Sequence, residues 1–158
     1  MLDQRLLDYL KDATPLHFKK LKKNFEAEPA MRRDLQRFLE RYLPFLEKRG
    51  VSLEQLGRSY LLMCEQMAGS RVEFVKTGKY PAADQAKAVV DVYGNPAVML
   101  PYMMGLALSQ FLWKHHYHLF SFYRAFVRSQ SVGVRALEVG SGHGLFLSEL
   151  LESQEPAT

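Results

Sequence analysis

Three glycines at alternate positions, Gly140, Gly142 and Gly144, follow an acidic residue, Glu138, in the stretch LEVGSGHG from Leu137 to Gly144. Glycine lacks a Cβ, so Gly140 can turn tightly off a preceding element. Gly142 lets a ligand approach the backbone, and Gly144 lets a following helix pack closely. The N–H groups at the start of such a helix favour an anionic group, a carboxylate or a phosphate. Upstream, KHHYH supplies three histidines, His115, His116 and His118, and an imidazole titrates near neutrality, as a base must. Projected at about 100° per residue, His118 joins a polar stripe with Gln110, Lys114, Ser121, Arg124 and Arg128. His115 and His116 flank the apolar face of Leu112, Leu119, Phe122, Tyr123 and Phe126. Those two are therefore the candidate bases or acceptor ligands, against the plainer reading of half-buried, hydrogen-bonded histidines. No metal site is expected, because consecutive helical positions point apart and no Cys or acid completes the set.

Flanking residues say what holds the loop. Val134 to Val139 is a short apolar run with β-branched ends, which predicts a buried parallel strand, and Leu145, Leu147, Leu150 and Leu151 restart a helix. Strand, glycine loop and helix form the opening unit of a doubly wound α/β domain. Spacing separates the ligands. The dinucleotide fingerprint is GxGxxG, whereas here the pattern is GxGxG with Leu145 in the last glycine's place. A Walker loop is excluded: the Gly78–Lys79 pair is followed by Tyr80 and has Glu73 where the first glycine should stand.

The run Ala136 to Gly144, ALEVGSGHG, resembles motif I of the class I S-adenosylmethionine-dependent methyltransferases. That resemblance implies S-adenosylmethionine as cofactor, with Gly140, Ser141, Gly142 and Gly144 turning around its methionine part. Glu138 would orient the loop and the cofactor's amino end, and His143 would be the variable residue between two required glycines. Methyl transfer is a direct displacement needing alignment and, for a hydroxyl or amine acceptor, a base; His115 and His116 are the residues placed for it. The family also expects an acidic residue about 20 residues further on to bind the ribose hydroxyls, and the chain reaches Thr158 before or at that point. The sequence is thus expected to be the front portion of a methyltransferase, incomplete alone. Two alternatives stay open: a non-catalytic helical interaction or dimerisation module, and an NAD-binding protein.

Ahead of the loop the pattern is helical. Leu2, Leu6, Leu7 and Leu10 recur at helical spacing; Pro15 opens a segment with Phe18, Leu21 and Phe25 on one side. From Pro29 a third helix carries Leu35, Phe38, Leu39, Tyr42 and Leu46 on one face and Arg33, Arg37 and Arg41 on another, with Pro44 expected to kink or end it. Ser52 and Gln55 have capping-box spacing for a fourth, fading near Gly69 or reaching about Lys76. Gly78 and Pro81 punctuate a break, a short helix follows over Ala82 to Val92, and Asn95 with Pro96 starts another. Leu106 to Arg128 then reads as one amphipathic helix. The fold class expected is mainly α: a helical N-terminal domain over 1–131, serving as lid, substrate or dimerisation domain, then the first βα unit of a Rossmann-like domain over 132–158. Among the aromatics upstream of the loop, Tyr102, Trp113 and Tyr117 either line a flat acceptor pocket or are simply core.

Composition bounds the rest. The 158 residues are 47% hydrophobic and 24% charged, ordinary for a globular domain with a real core. The first residues lack the pattern of a signal peptide, and Val98 to Trp113 is broken by Pro101, Gly105, Ser109 and Gln110, so no membrane span is expected. A lone Cys64 in apolar company suits a reducing cytoplasm. Net charge is +4, and residues 11–49 hold eleven Lys and Arg against six acids. That basic third is either a solvated face or a dock for an acidic carrier presenting a tethered acceptor; no aromatic-interleaved motif supports nucleic acid. Expected partners are a small-molecule or carrier-bound acceptor and a second copy in a homodimer.

Overall fold

A computed structural model describes residues 1–79 and 84–154. The elements in chain order are α1 (Leu2–Ala13), α2 (Pro15–Ala27), α3 (Pro29–Glu47) and α4 (Leu53–Thr77). After these come α5 (Gln85–Ala88), running into a π-helical turn at Val89–Tyr93, then α6 (Pro96–Leu112), α7 (Lys114–Arg128) and α8 (Leu145–Gln154). Proline opens α2, α3 and α6, where its fixed φ suits the first turn and its missing N–H would be unpaired anyway. The capping box at Ser52 forms as its spacing predicts: the Gln55 N–H donates to Ser52 Oγ (3.2 Å) and the Ser52 N–H to Gln55 Oε1 (2.7 Å). Gly78 closes α4 at φ +70°, a conformation open to glycine. Pro44 lies inside α3, which continues three residues past it to Glu47. Pro81 and the start of the Ala82 helix lie outside the described residues, as do residues 155–158.

The core is shared by α1, α2, α3, α4, α6 and α7. Leu6, Leu10, Leu21, Leu35, Leu39, Leu56, Tyr60, Met63, Leu108 and Leu112 are all but fully buried, each such leucine contributing on the order of 2 kcal/mol. Helix α6 reaches α4 through Gly105, where a Cβ would stand 2.8 Å from the Ser59 carbonyl oxygen and 3.0 Å from Met63 Cβ. Backbone cannot swing aside as a side-chain tip does. Gly105→Ala should therefore destabilise the fold by about 2 kcal/mol despite the better helix propensity of alanine, read as a lowered midpoint in chemical denaturation.

Two expectations are overturned. No strand occurs among the described residues, so the chain contains no Rossmann-like βα unit there; its described regular elements are all helices. Val134 to Val139 is irregular backbone, with Leu137 88% and Val139 86% exposed. A strand satisfies its N–H and C=O groups through a neighbour, and no second strand occurs among the described residues to supply that ladder. Residues 145–154 join the helical bundle instead. Phe146 of α8 meets Phe120 and Tyr123 of α7 edge-on at 5.5 and 4.8 Å, and Arg128 donates to Glu149 at 2.8 Å.

The second correction concerns Leu106 to Arg128, which is two helices. Trp113 breaks the run in an extended conformation (φ −103°, ψ 121°), its indole N–H donating to the buried Tyr60 hydroxyl at 2.8 Å. The break resets the phase. Leu119, Phe122 and Phe126 are exposed, whereas Tyr117, Phe120 and Val127 are buried and Arg124 turns inward. Arg124 and Tyr117 both donate to Asp34 Oδ2 of α3, at 2.6 and 2.9 Å, tying this face of α7 to α3.

Candidate functional site

The glycine loop has the backbone its composition demands. Gly140, Gly142 and Gly144 take φ of +77°, +50° and +74°, the left-handed region where a side chain costs roughly 1–2 kcal/mol. Both ends are tied down. The N–H groups of Gly133 and Val134 donate to Gln154 Oε1 of α8, at 2.8 and 3.3 Å, and at the other end the Gly144 N–H returns to the Ser141 carbonyl at 2.8 Å. Gly142 abuts α6, its missing Cβ 3.9 Å from Met103 Sδ. Among the described residues, the N–H groups of Gly140, Ser141, Gly142 and His143 make no hydrogen bond. These donors stand before the N-terminus of α8, where the helix dipole favours negative charge.

Glu138 is half-buried, and its Oε2 is shielded from solvent and has no hydrogen-bond partner among the described residues. A buried carboxylate oxygen left unpaired is costly and calls for a donor. An unpaired carboxylate oxygen and a run of free N–H groups could together hold a ligand that carries both an ammonium and a carboxylate. Ser141 is exposed beside them.

His143, which motif reading treats as variable, has a defined place. Its Nδ1 accepts the Leu145 N–H at 3.2 Å, capping α8, and its ring stacks on Phe146 at 5.8 Å. Burial, with a smaller contribution from His116, holds its pKa down at about 4. The folded chain thus binds fewer protons here than the unfolded chain, whose histidine titrates near 6.5. Stability from this residue is full above about 6.5 and is lost as pH falls through about 4. His143→Asn, which keeps an acceptor for the cap, should show a smaller fall in melting temperature over that interval.

Of the two candidate bases the structure separates one. His115 is exposed, while His116 is half-buried and lies near Trp113, ring centroids 4.8 Å apart. Ser109 Oγ lies 2.7 Å from the Leu106 carbonyl oxygen and 2.8 Å from His116 Nδ1. A carbonyl only accepts, so the serine proton goes to Leu106 and His116 Nδ1 must donate to Ser109. In the neutral ring that leaves the lone pair on Nε2. Burial, then the neighbouring His115, lowers the His116 pKa and so favours the neutral ring. His118 is exposed and paired with Glu28 Oε2 at 2.7 Å.

The aromatic candidates are not gathered into one pocket. Tyr117 is buried and committed to Asp34, Trp113 is committed to Tyr60, and Tyr102 packs half-buried against the core. Sequence reasoning missed a groove of about 840 Å³ between α3, α7 and α8, which reaches His143 and Gly144 at the foot of the loop. Its signal was the helical spacing of Phe38, Tyr42 and Phe45 along α3. No cluster of three or more His, Cys, Asp or Glu side chains suited to a metal ion occurs among the described residues. Nor is any described helix long and apolar enough to cross a membrane.

No family model matches the chain, and no curated protein or solved structure matches it.

Proposed function

We propose that the chain binds S-adenosylmethionine at the Glu138 to Gly144 loop and serves a methyltransferase acting on a small or carrier-tethered acceptor. The observation that carries this reading is the unpartnered, buried Oε2 of Glu138, set two residues before three left-handed glycines at the start of α8. Bound there, S-adenosylmethionine would supply a methyl group activated by its positively charged sulfur. This chain's part is placement. Glu138 would hold the ammonium, the loop N–H groups would hold the carboxylate, and His116 Nε2 would accept the proton of the acceptor hydroxyl or amine. Ser109 is the positioning residue, since its acceptance from Nδ1 keeps the lone pair on Nε2.

Calorimetric titration with S-adenosylmethionine and with NAD tests the proposal. Saturable binding of the first and none of the second is expected; the reverse preference, or no heat with either, would sink it. A second reading, a helical interaction or dimerisation module without catalysis, draws on the exposed Leu119, Phe122 and Phe126 of α7 and the exposed Leu137 and Val139. Sedimentation separates the two: a concentration-dependent dimer that ignores S-adenosylmethionine favours the module.

A further inference from the structure

The second half of α4 stands clear of the core. From Glu65 to Thr77 every residue but Ser70 is exposed, whereas the buried positions of the helix run from Leu53 to Met63. Gly105 of α6 packs against Ser59 and Met63. Projected at about 100° per residue, Glu65, Gly69, Val72 and Lys76 share one stripe on the side of α4 turned away from those two residues. Their spacing of four, three and four is that of a helix–helix seam.

The chain's own contacts give no reason for this stripe. Gly69 lies inside an exposed helix, where glycine is about 1 kcal/mol less favourable than alanine. A Cβ there would meet nothing within 4 Å, unlike at Gly105, where backbone of α4 fills the place. Val72 is 51% exposed. Glu65 and Lys76 are exposed and make neither hydrogen bond nor ion pair among the described residues.

The order of the four residues is self-complementary. Turned end for end about a twofold axis midway between Ser70 and Arg71, the stripe sets Glu65 opposite Lys76 of a second copy and Gly69 opposite its Val72. Both pairs then recur in reverse. The valine occupies the space left by the absent glycine side chain, and opposite charges close both ends. Residues 65–76 hold two acids, Glu65 and Glu73, and two bases, Arg71 and Lys76, although the chain as a whole carries +4. A locally neutral, mixed-sign surface suits its own copy better than it suits a nucleic acid or an acidic membrane.

We infer that α4 pairs antiparallel with α4 of a second copy through Glu65, Gly69, Val72 and Lys76. A crossing of this length covers less than the roughly 1,600 Å² of a standard interface, so the dimer is reversible. It is independent of what the glycine loop binds.

Sedimentation equilibrium of the intact chain, over about 5 to 500 µM, should show a monomer–dimer equilibrium in the micromolar range. Glu65→Lys and Lys76→Glu each set like charges opposite one another at both ends, and each should weaken association by about tenfold. The variant carrying both changes exchanges the charges and should return to within about twofold of the parent. Gly69→Gln should weaken association by about tenfold, while the melting temperature of the monomer holds or rises, because glutamine is the better helix former. A chain that stays monomeric, single reversals without effect, or a double variant no better than the singles would each overturn the proposal. So would a dimer that keeps its affinity in all these variants and is dissolved by Phe122→Glu, which would place the contact on α7. Calorimetry with S-adenosylmethionine remains the separate test of the loop, and none of these outcomes bears on it.

Discussion

Glu138→Gln is expected to weaken S-adenosylmethionine binding by about tenfold to a hundredfold, while the ligand-free melting temperature holds or rises. A hydrogen bond between a carboxylate and an ammonium contributes roughly 1.5–3 kcal/mol, and each 1.4 kcal/mol is a factor of about ten in affinity. The stability side has the opposite sign to most buried substitutions. Among the described residues Glu138 Oε2 has no hydrogen-bond partner, so the unliganded fold carries the cost of that shielded oxygen, and an amide of the same shape breaks no bond. A purely structural Glu138 would behave in reverse, losing stability without changing affinity. Calorimetry and thermal unfolding on the same two samples decide between these outcomes.

Asp34→Ala should cost the fold about 3 kcal/mol. Asp34 Oδ2 accepts from Arg124 at 2.6 Å and from the Tyr117 hydroxyl at 2.9 Å, joining α3 to α7. Truncation leaves a mostly buried guanidinium, its side chain 22% exposed, and a buried phenol without their acceptor. At about 2–4 °C per kcal/mol for a chain of this size, the midpoint of thermal unfolding should drop by roughly 6–12 °C. Asp34→Asn should fall between, since its amide oxygen still accepts from one of the two donors. A drop as small as that of an exposed substitution would show that α7 is held by its apolar contacts alone.

The helices were legible because their signals are local. Pro15, Pro29 and Pro96 mark first turns, Ser52 and Gln55 form a box closed within four residues, and Gly78 stops α4 by its own backbone. Both misreadings arose where the deciding partner lies elsewhere in the chain. Val134 to Val139 has strand composition, but a strand exists only through a neighbour, and composition is silent about whether one is there. Trp113 carries no breaker signal; the bond from its indole to Tyr60 spans 53 positions, and periodicity read across it assigned Phe122 and Phe126 to the wrong side.

The site divides the same way. Three glycines announce three left-handed residues because few other residues accept that conformation, so the loop could be read directly. The preference for His116 over His115 needed Ser109, seven residues back across the helix break, and its bond to Leu106. The cap made by His143 and the groove wall of α3 are both side-chain geometry, which spacing suggests only once the helices around it are in place.

The central claim is that Glu138 to Gly144 is the S-adenosylmethionine site, and amide resonances report on that segment residue by residue. Titrating the labelled chain with S-adenosylmethionine should shift the amide signals of Gly140, Gly142 and Gly144 together, saturably, with those of α1 and α2 unmoved. Unshifted loop glycines at concentrations that saturate any measured binding would contradict the account.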